Sequence, residues 1–201
     1  MNHRTILPLG LLTAALLLGG CRVVEEPENE PVSPMSSSQL NQQTAEYITL
    51  IRELDFLLGG EDWQDPREID PTYLTMWYAS YLQLHNDRNE HYLSGYLREG
   101  EDGAFFPAEE VERVLKERFG LDQDTLRQDN HTYRPDEQVY ATVGPAGDLR
   151  SYDIDLISAV REEGQLILTF QVSSGSDLSG VRRTLTLTDT EPPVYLSLTT
   201  P

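Results

Sequence analysis

Two hydrophobic periods divide the chain beyond residue 38. Between about 39 and 126 apolar residues recur every three or four positions, the period of a helix with one buried face. Beyond Pro135 they alternate, the period of a half-buried strand. Ala45, Ile48, Ile51, Leu54 and Leu58 form one stripe and predict a first helix over 39–58, ended by Gly59-Gly60. Asp70-Pro71 opens a second, with a carboxylate at the N-cap and proline at the first helical position, running to about Leu84. Its Tyr73, Leu74, Met76, Trp77, Tyr78, Tyr81, Leu82 and Leu84 leave almost no polar face, the pattern of a helix buried between layers. A third starts at Pro107. Glu109 and Glu110 suit its positive end, and Lys116 and Arg118 its negative end. Val111, Val114, Leu115 and Phe119 form its apolar face, Gly120 stops it, and Asp122 caps one further turn through Leu126. Residues 86–106 carry no clear period, and His91–Leu97 fits either a short strand or a helical turn.

The alternating part predicts four or five strands. Gln138–Val143 leads into the turn Gly144-Pro145-Ala146-Gly147. Tyr152, Ile154 and Leu156 then alternate with Ser151, Asp153 and Asp155 until the pattern slips at Ile157, which predicts a β-bulge before Val160. Leu166, Leu168, Phe170 and Val172 point one way, Leu185 and Leu187 alternate with Thr184, Thr186 and Thr188, and Val194, Leu196 and Leu198 close the set. Glu163-Gly164, Ser174-Gly175 and Pro192-Pro193 supply turns. Helices first and an antiparallel meander last predict an α+β fold, the helices covering the apolar face of the sheet. Cystatin-like and nuclear-transport-factor-2-like folds share that outline, an analogy of architecture that carries no function.

The first 38 residues have a different character. Arg4 precedes an apolar run from Ile6 to Leu18, thirteen residues or roughly 20 Å of helix, short of the ~30 Å a membrane span needs. A secretory signal over residues 1–20 fits better. The run ends in Leu18-Gly19-Gly20-Cys21, which resembles the lipobox of bacterial lipoproteins. The resemblance implies cleavage before Cys21 and acyl chains on that cysteine, and two or more chains anchor a protein stably. Residues 21–38 then read as a tether: Glu25, Glu26, Glu28 and Glu30 among Pro27, Pro31 and Pro34, closed by Ser36-Ser37-Ser38, cannot bury enough apolar surface to order themselves. Residues 39–201 remain for one globular domain. Its part from 105 onward, with a proline-led helix ending in Phe119-Gly120 and the segment Thr184-Leu185-Thr186-Leu187, resembles uncharacterised clostridial surface lipoproteins.

Composition narrows the chemistry. Cys21 is the only cysteine, so the domain holds no disulfide, zinc–cysteine site or iron–sulfur cluster. Asp and Glu number 34 against 15 Lys and Arg, a net charge of −19, which becomes −20 once Arg4 leaves with the signal. Such a surface repels phosphate backbones and argues against nucleic acid. It leaves the acyl chains on Cys21 as the means of membrane attachment.

No motif assigns an activity, a metal or a cofactor. His85, Asp87, Glu90 and His91 crowd together, but two histidines six positions apart fall on different faces of a helix. Glu61–Asp65, Glu99–Asp102 and the set Asp122, Asp124 and Asp129 lack the glycine and ligand offsets of an EF-hand. There is no Gly-x-Ser-x-Gly elbow, Gly-x-Gly-x-x-Gly turn or phosphate loop. Asn130-His131-Thr132 matches a glycosylation acceptor by chance. Tyr73, Trp77 and Tyr81 stand four apart on the second helix and read first as core. Trp77 and Tyr81 would be the best ligand anchors if a cleft stayed open between that helix and the meander, below the hydroxyl face of Thr184, Thr186, Thr188, Ser197 and Thr199. The expectation is an extracytoplasmic, lipid-anchored, non-enzymatic domain binding an envelope protein, peptide or sugar. Convergent His and Asp or Glu side chains in a deep cleft would mark a low-activity envelope hydrolase instead. A surface without concavity would mark a spacer or assembly factor.

Overall fold

The computed structural model describes residues 37–86, 91–142, 153–174 and 179–201. The predicted signal, Cys21, the tether up to residue 36, Tyr152 and the turn at 144–147 lie outside them. The order is α1 (Ser37–Glu53), α2 (Asp55–Leu58), α3 (Pro71–His85), β1 (Phe105–Pro107), α4 (Ala108–Phe119), α5 (Gln123–Arg127), β2 (Tyr133–Arg134), β3 (Val139–Ala141), β4 (Asp153–Glu162), β5 (Gln165–Ser174), β6 (Arg182–Thr188) and β7 (Tyr195–Thr199). The fold is α+β: helices come first, and a four-stranded antiparallel meander in the order β4-β5-β6-β7 comes last.

The helices form where capping and periodicity put them, with two corrections. Asp70 accepts a hydrogen bond from the Thr72 amide at 2.8 Å, and Asp122 from that of Thr125 at 2.9 Å, the N-caps of α3 and α5. Gly120 takes the left-handed conformation, φ 68°, that ends α4. The stretch 39–58, expected as one helix, breaks after Glu53. Its stripe is also rotated: Tyr47, Ile51, Leu54, Leu57 and Leu58 are buried, whereas Ala45 is exposed. After the break α2 packs on α3, with Leu57 and Leu58 in the core. Helix α3 buries Leu74, Trp77, Tyr78 and Ala79 but leaves Tyr73 about half exposed against Phe56, so it has an outer face after all.

In the meander Leu166, Leu168, Phe170, Val172, Leu185 and Leu187 are buried on the face that packs on the helices. The expected bulge is present, since Leu156 pairs with Phe170 and Ser158 with Thr169, leaving Ile157 over. A second shift alters the expected pattern of the last strand. Thr186 pairs with Ser197 and Leu187 with Tyr195, so Leu196 is the extra residue and Tyr195, not Leu196, points into the core. Trp63 closes the outer edge of β7 through two 2.9 Å backbone hydrogen bonds with Leu198.

The described part of the predicted strand Gln138–Val143, which ends at Thr142, does not join the meander. Within it β3 is the centre of a separate three-stranded sheet, order β1-β3-β2, paired on one side with Phe105–Pro107 and on the other with Tyr133–Arg134. Phe106 and Tyr140 enter the main core, while Phe105, Val139 and Ala141 form a small second cluster under the guanidinium groups of Arg98 and Arg134, 4.2 and 4.7 Å from the Phe105 ring. Within 86–106 the described part holds a 3-10 turn, Ser94–Tyr96, tied down where the Tyr96 and Tyr78 hydroxyls both donate to Glu110 Oε1 at 2.7 Å. Gly103, φ 96°, has no room for a side chain, since a Cβ there would lie 2.5 Å from the Thr142 carbonyl oxygen.

Candidate functional site

The C-terminal ends of three helices meet under β7. Glu53 is the last residue of α1, His85 the last of α3, and Arg118 lies in the last turn of α4. Cations suit the negative end of a helix dipole, and a carboxylate there is disfavoured unless it is paired. Glu53, 4% exposed, is paired on both oxygens. Oε1 accepts from His85 Nε2 at 3.0 Å; Oε2 accepts from the Tyr195 hydroxyl at 2.6 Å and from Arg118 Nη2. Arg118 Nη2 also reaches the Tyr195 oxygen at 3.3 Å, and that hydroxyl lies 3.0 Å from the Leu50 carbonyl.

Burial alone would raise the pKa of Glu53, but hydrogen bonds from His85 and Tyr195 and the charge of Arg118 outweigh it and hold the carboxyl below its ordinary value. Burial and the Glu53 charge push the Tyr195 phenol well above its own. An ionised Glu53 requires His85 Nε2 to donate, which leaves Nδ1 as the free ring nitrogen.

This cluster floors a cleft of about 750 Å³, within the usual range for small-ligand sites. One wall is α1, through Glu46, Tyr47, Thr49 and Leu50. The other is the β6–β7 turn, through Thr188, Asp189, Thr190, Glu191 and Pro193, with Arg161 and Leu166 between them. The turn is internally tied, with Thr188 Oγ1 accepting from the Val194 amide at 2.8 Å and lying 2.6 Å from Thr190 Oγ1. Arg161 Nε pairs with Asp189 at 3.0 Å, beneath the Tyr47 ring. Glu46 and Glu191 are exposed at the rim.

Of the candidate residues singled out from sequence, His85 and Thr188 belong to this site. Trp77 and Tyr81, read first as core and as ligand anchors only if a cleft stayed open between α3 and the meander, are packed against their neighbours. Trp77 is fully buried, stacked on Tyr81 at 5.1 Å and edge-on to Phe119 at 4.8 Å. Tyr81 is half-buried and lies against His85, ring centroids 4.2 Å apart. His91 is exposed in a turn and does not line the cleft, and among the described residues no three His, Cys, Asp or Glu side chains converge as a metal would need. Asp62 and Asp65, from one acidic segment, are engaged by Arg183 with Thr200 and by Arg67. Thr184 faces Thr199, and Thr186 faces Ser197, as a half-buried hydroxyl ladder on the outer face of the sheet. Asn130 is buried, its amide nitrogen donating to the Pro71 and Leu126 carbonyls at 3.0 and 3.1 Å, so it is no acceptor for a glycan in the folded chain.

Glu53, Arg118 and Tyr195 were missed. A signal existed for two of them: Glu53 interrupts the apolar run between Ile51 and Leu54, and Arg118 sits between Leu115 and Phe119 on the buried side of α4. A charge on an apolar stripe in each of two helices calls for a partner, though only the fold brings the two together. No protein-family model, curated protein or solved structure matches this chain.

Proposed function

We propose that this chain is a bacterial lipoprotein, cut before Cys21, lipid-anchored on the extracytoplasmic side of a membrane, displaying a non-enzymatic binding domain for an envelope peptide, protein or sugar. The cleft between α1 and the β6–β7 turn supports the binding half. It is concave and of ligand size, and its buried carboxylate is satisfied on both oxygens, an arrangement suited to recognition more than to proton transfer. The same concavity weighs against a passive spacer. The lipobox Leu18-Gly19-Gly20-Cys21 and the acidic, proline-rich residues 22–38 support the anchored half. No helix among the described residues is long and apolar enough to cross a membrane.

The anchor is tested by Cys21→Ser. This variant should leave the membrane fraction or remain unprocessed, whereas a native chain starting at Cys21 without lipid, seen by mass spectrometry, would refute the anchor.

One observation favours a second reading, an envelope hydrolase. Glu53 orients His85 at the cleft floor, and the His85 side chain is 42% exposed. A carboxylate-held imidazole is half of a general-base arrangement. Turnover of an ester, amide or glycoside that disappears in His85→Ala, with the fold retained, would make hydrolysis the better account.

A further inference from the structure

Two ends of the cleft have complementary chemistry. At the floor, Arg118 is only 7% exposed, and its Nη2 alone is engaged, by Glu53 and Tyr195. Nε has no partner but is sealed from solvent and out of a ligand's reach, so the donor left for a ligand is Nη1, which makes no hydrogen bond among the described residues. A buried guanidinium with unused N–H groups beside a cleft calls for an acceptor oxygen. At the rim, Glu46 receives one bond, from Gln42 at 3.3 Å, and Glu191 stands opposite on the β6–β7 turn. Glu46 and Glu53 are seven residues apart on α1, hence on one face and about 10 Å apart along the axis. Because Arg118 is bonded to Glu53, about 10 Å is also the spacing along α1 from the Glu46 end of the cleft to its guanidinium end. Tyr47 and Leu50 line the stretch between them.

Charge sets the direction. The chain carries a net charge of −19, and three helix C-termini point at the cleft floor, so a ligand bringing a full negative charge there is opposed. A neutral carbonyl is not. An ammonium at the rim is attracted by both carboxylates.

Building on the binding-domain reading, we propose that the cleft holds the N-terminal part of a short extended peptide. The free α-ammonium sits between Glu46 and Glu191, and a backbone carbonyl about three residues on accepts from Arg118. Three extended residues span about 10–11 Å, which matches the separation.

Titration calorimetry on the full chain in mild detergent tests this with four probes: Ala-Ala-Ala amide, its N-acetylated form, alanine amide and spermidine. The tripeptide amide is expected to bind. Acetylation, or shortening to one residue, should weaken it at least about tenfold, the loss of one charge-assisted contact. Glu46→Gln, at an exposed position, should weaken the tripeptide amide similarly and leave the acetylated form unchanged. Equal binding of acetylated and free peptide, or spermidine binding as well as the peptide, would overturn the proposal. Binding of an envelope sugar in this cleft with none of the tripeptide would overturn it too, while leaving the binding-domain reading intact.

Discussion

Glu53→Ala is expected to lower the free energy of unfolding by about 3–5 kcal/mol, the cost of leaving a buried charge without its partner. Arg118 is 7% exposed and bonds Glu53 through Nη2, and Tyr195 is fully buried with its hydroxyl 2.6 Å from the same carboxylate. Removing the carboxylate strands the guanidinium in a site that offers only the Tyr195 oxygen. Removing both charges together, as Glu53→Leu with Arg118→Met, should cost far less than the sum of the single changes, because apolar groups of similar volume replace a buried pair at little loss. Urea unfolding of the native chain, Glu53→Leu, Arg118→Met and the double variant measures this cycle, with Glu53→Ala alongside. A Glu53→Ala cost below about 1 kcal/mol, the size seen for exposed pairs, would contradict it. The pH dependence carries a definite sign. The folded-state pKa of Glu53 lies below its unfolded value, so its contribution is complete above the ordinary glutamate value of about 4.3 and is lost as pH falls through the lowered folded value. The gap between the native chain and Glu53→Ala should therefore narrow in acid.

Trp77→Ala is expected to cost a similar amount, about 3–5 kcal/mol, for an unrelated reason. The indole is fully buried against Tyr81 and Phe119, so truncation leaves a void that the α3–α4 contact is too rigid to close. Its Nε1 has no hydrogen-bond partner, so the loss is packing alone, and Trp77→Phe should recover much of it. Denaturant midpoints of the two variants check this. A Trp77→Ala domain as stable as the native one would mean that the indole is not packed as described and would return it to consideration as a ligand anchor.

The sequence carried the fold class and most element boundaries because those depend on local chemistry. Asp70-Pro71, Asp122 and Gly120 act within one turn of themselves, and the slip at Ile157 is visible in the alternation it interrupts. Where the reading went wrong, a tertiary choice decided. Nothing in Gln138–Val143 says that Phe105–Pro107, some thirty residues earlier, is its partner. Nothing near Leu196 says that Tyr195 is needed inside to reach Glu53 and Leu50. The site was less legible than the fold for the same reason: it is assembled from the ends of α1, α3 and α4 with β7 and the β6–β7 turn, and only His85 and Thr188 stood out in isolation.

Hydrogen-exchange mass spectrometry of the full chain tests the central claim, that this is a binding domain whose ligand enters the cleft between α1 and the β6–β7 turn. The chain is compared alone and with soluble peptide and glycan fragments of the bacterial envelope, and the fragments are recovered afterwards. Slowed exchange is expected in residues 46–53 and 188–193, with the bound fragment recovered unaltered. Slowing confined to the outer face of β6 and β7, or recovery of the fragment in cleaved form, would contradict it.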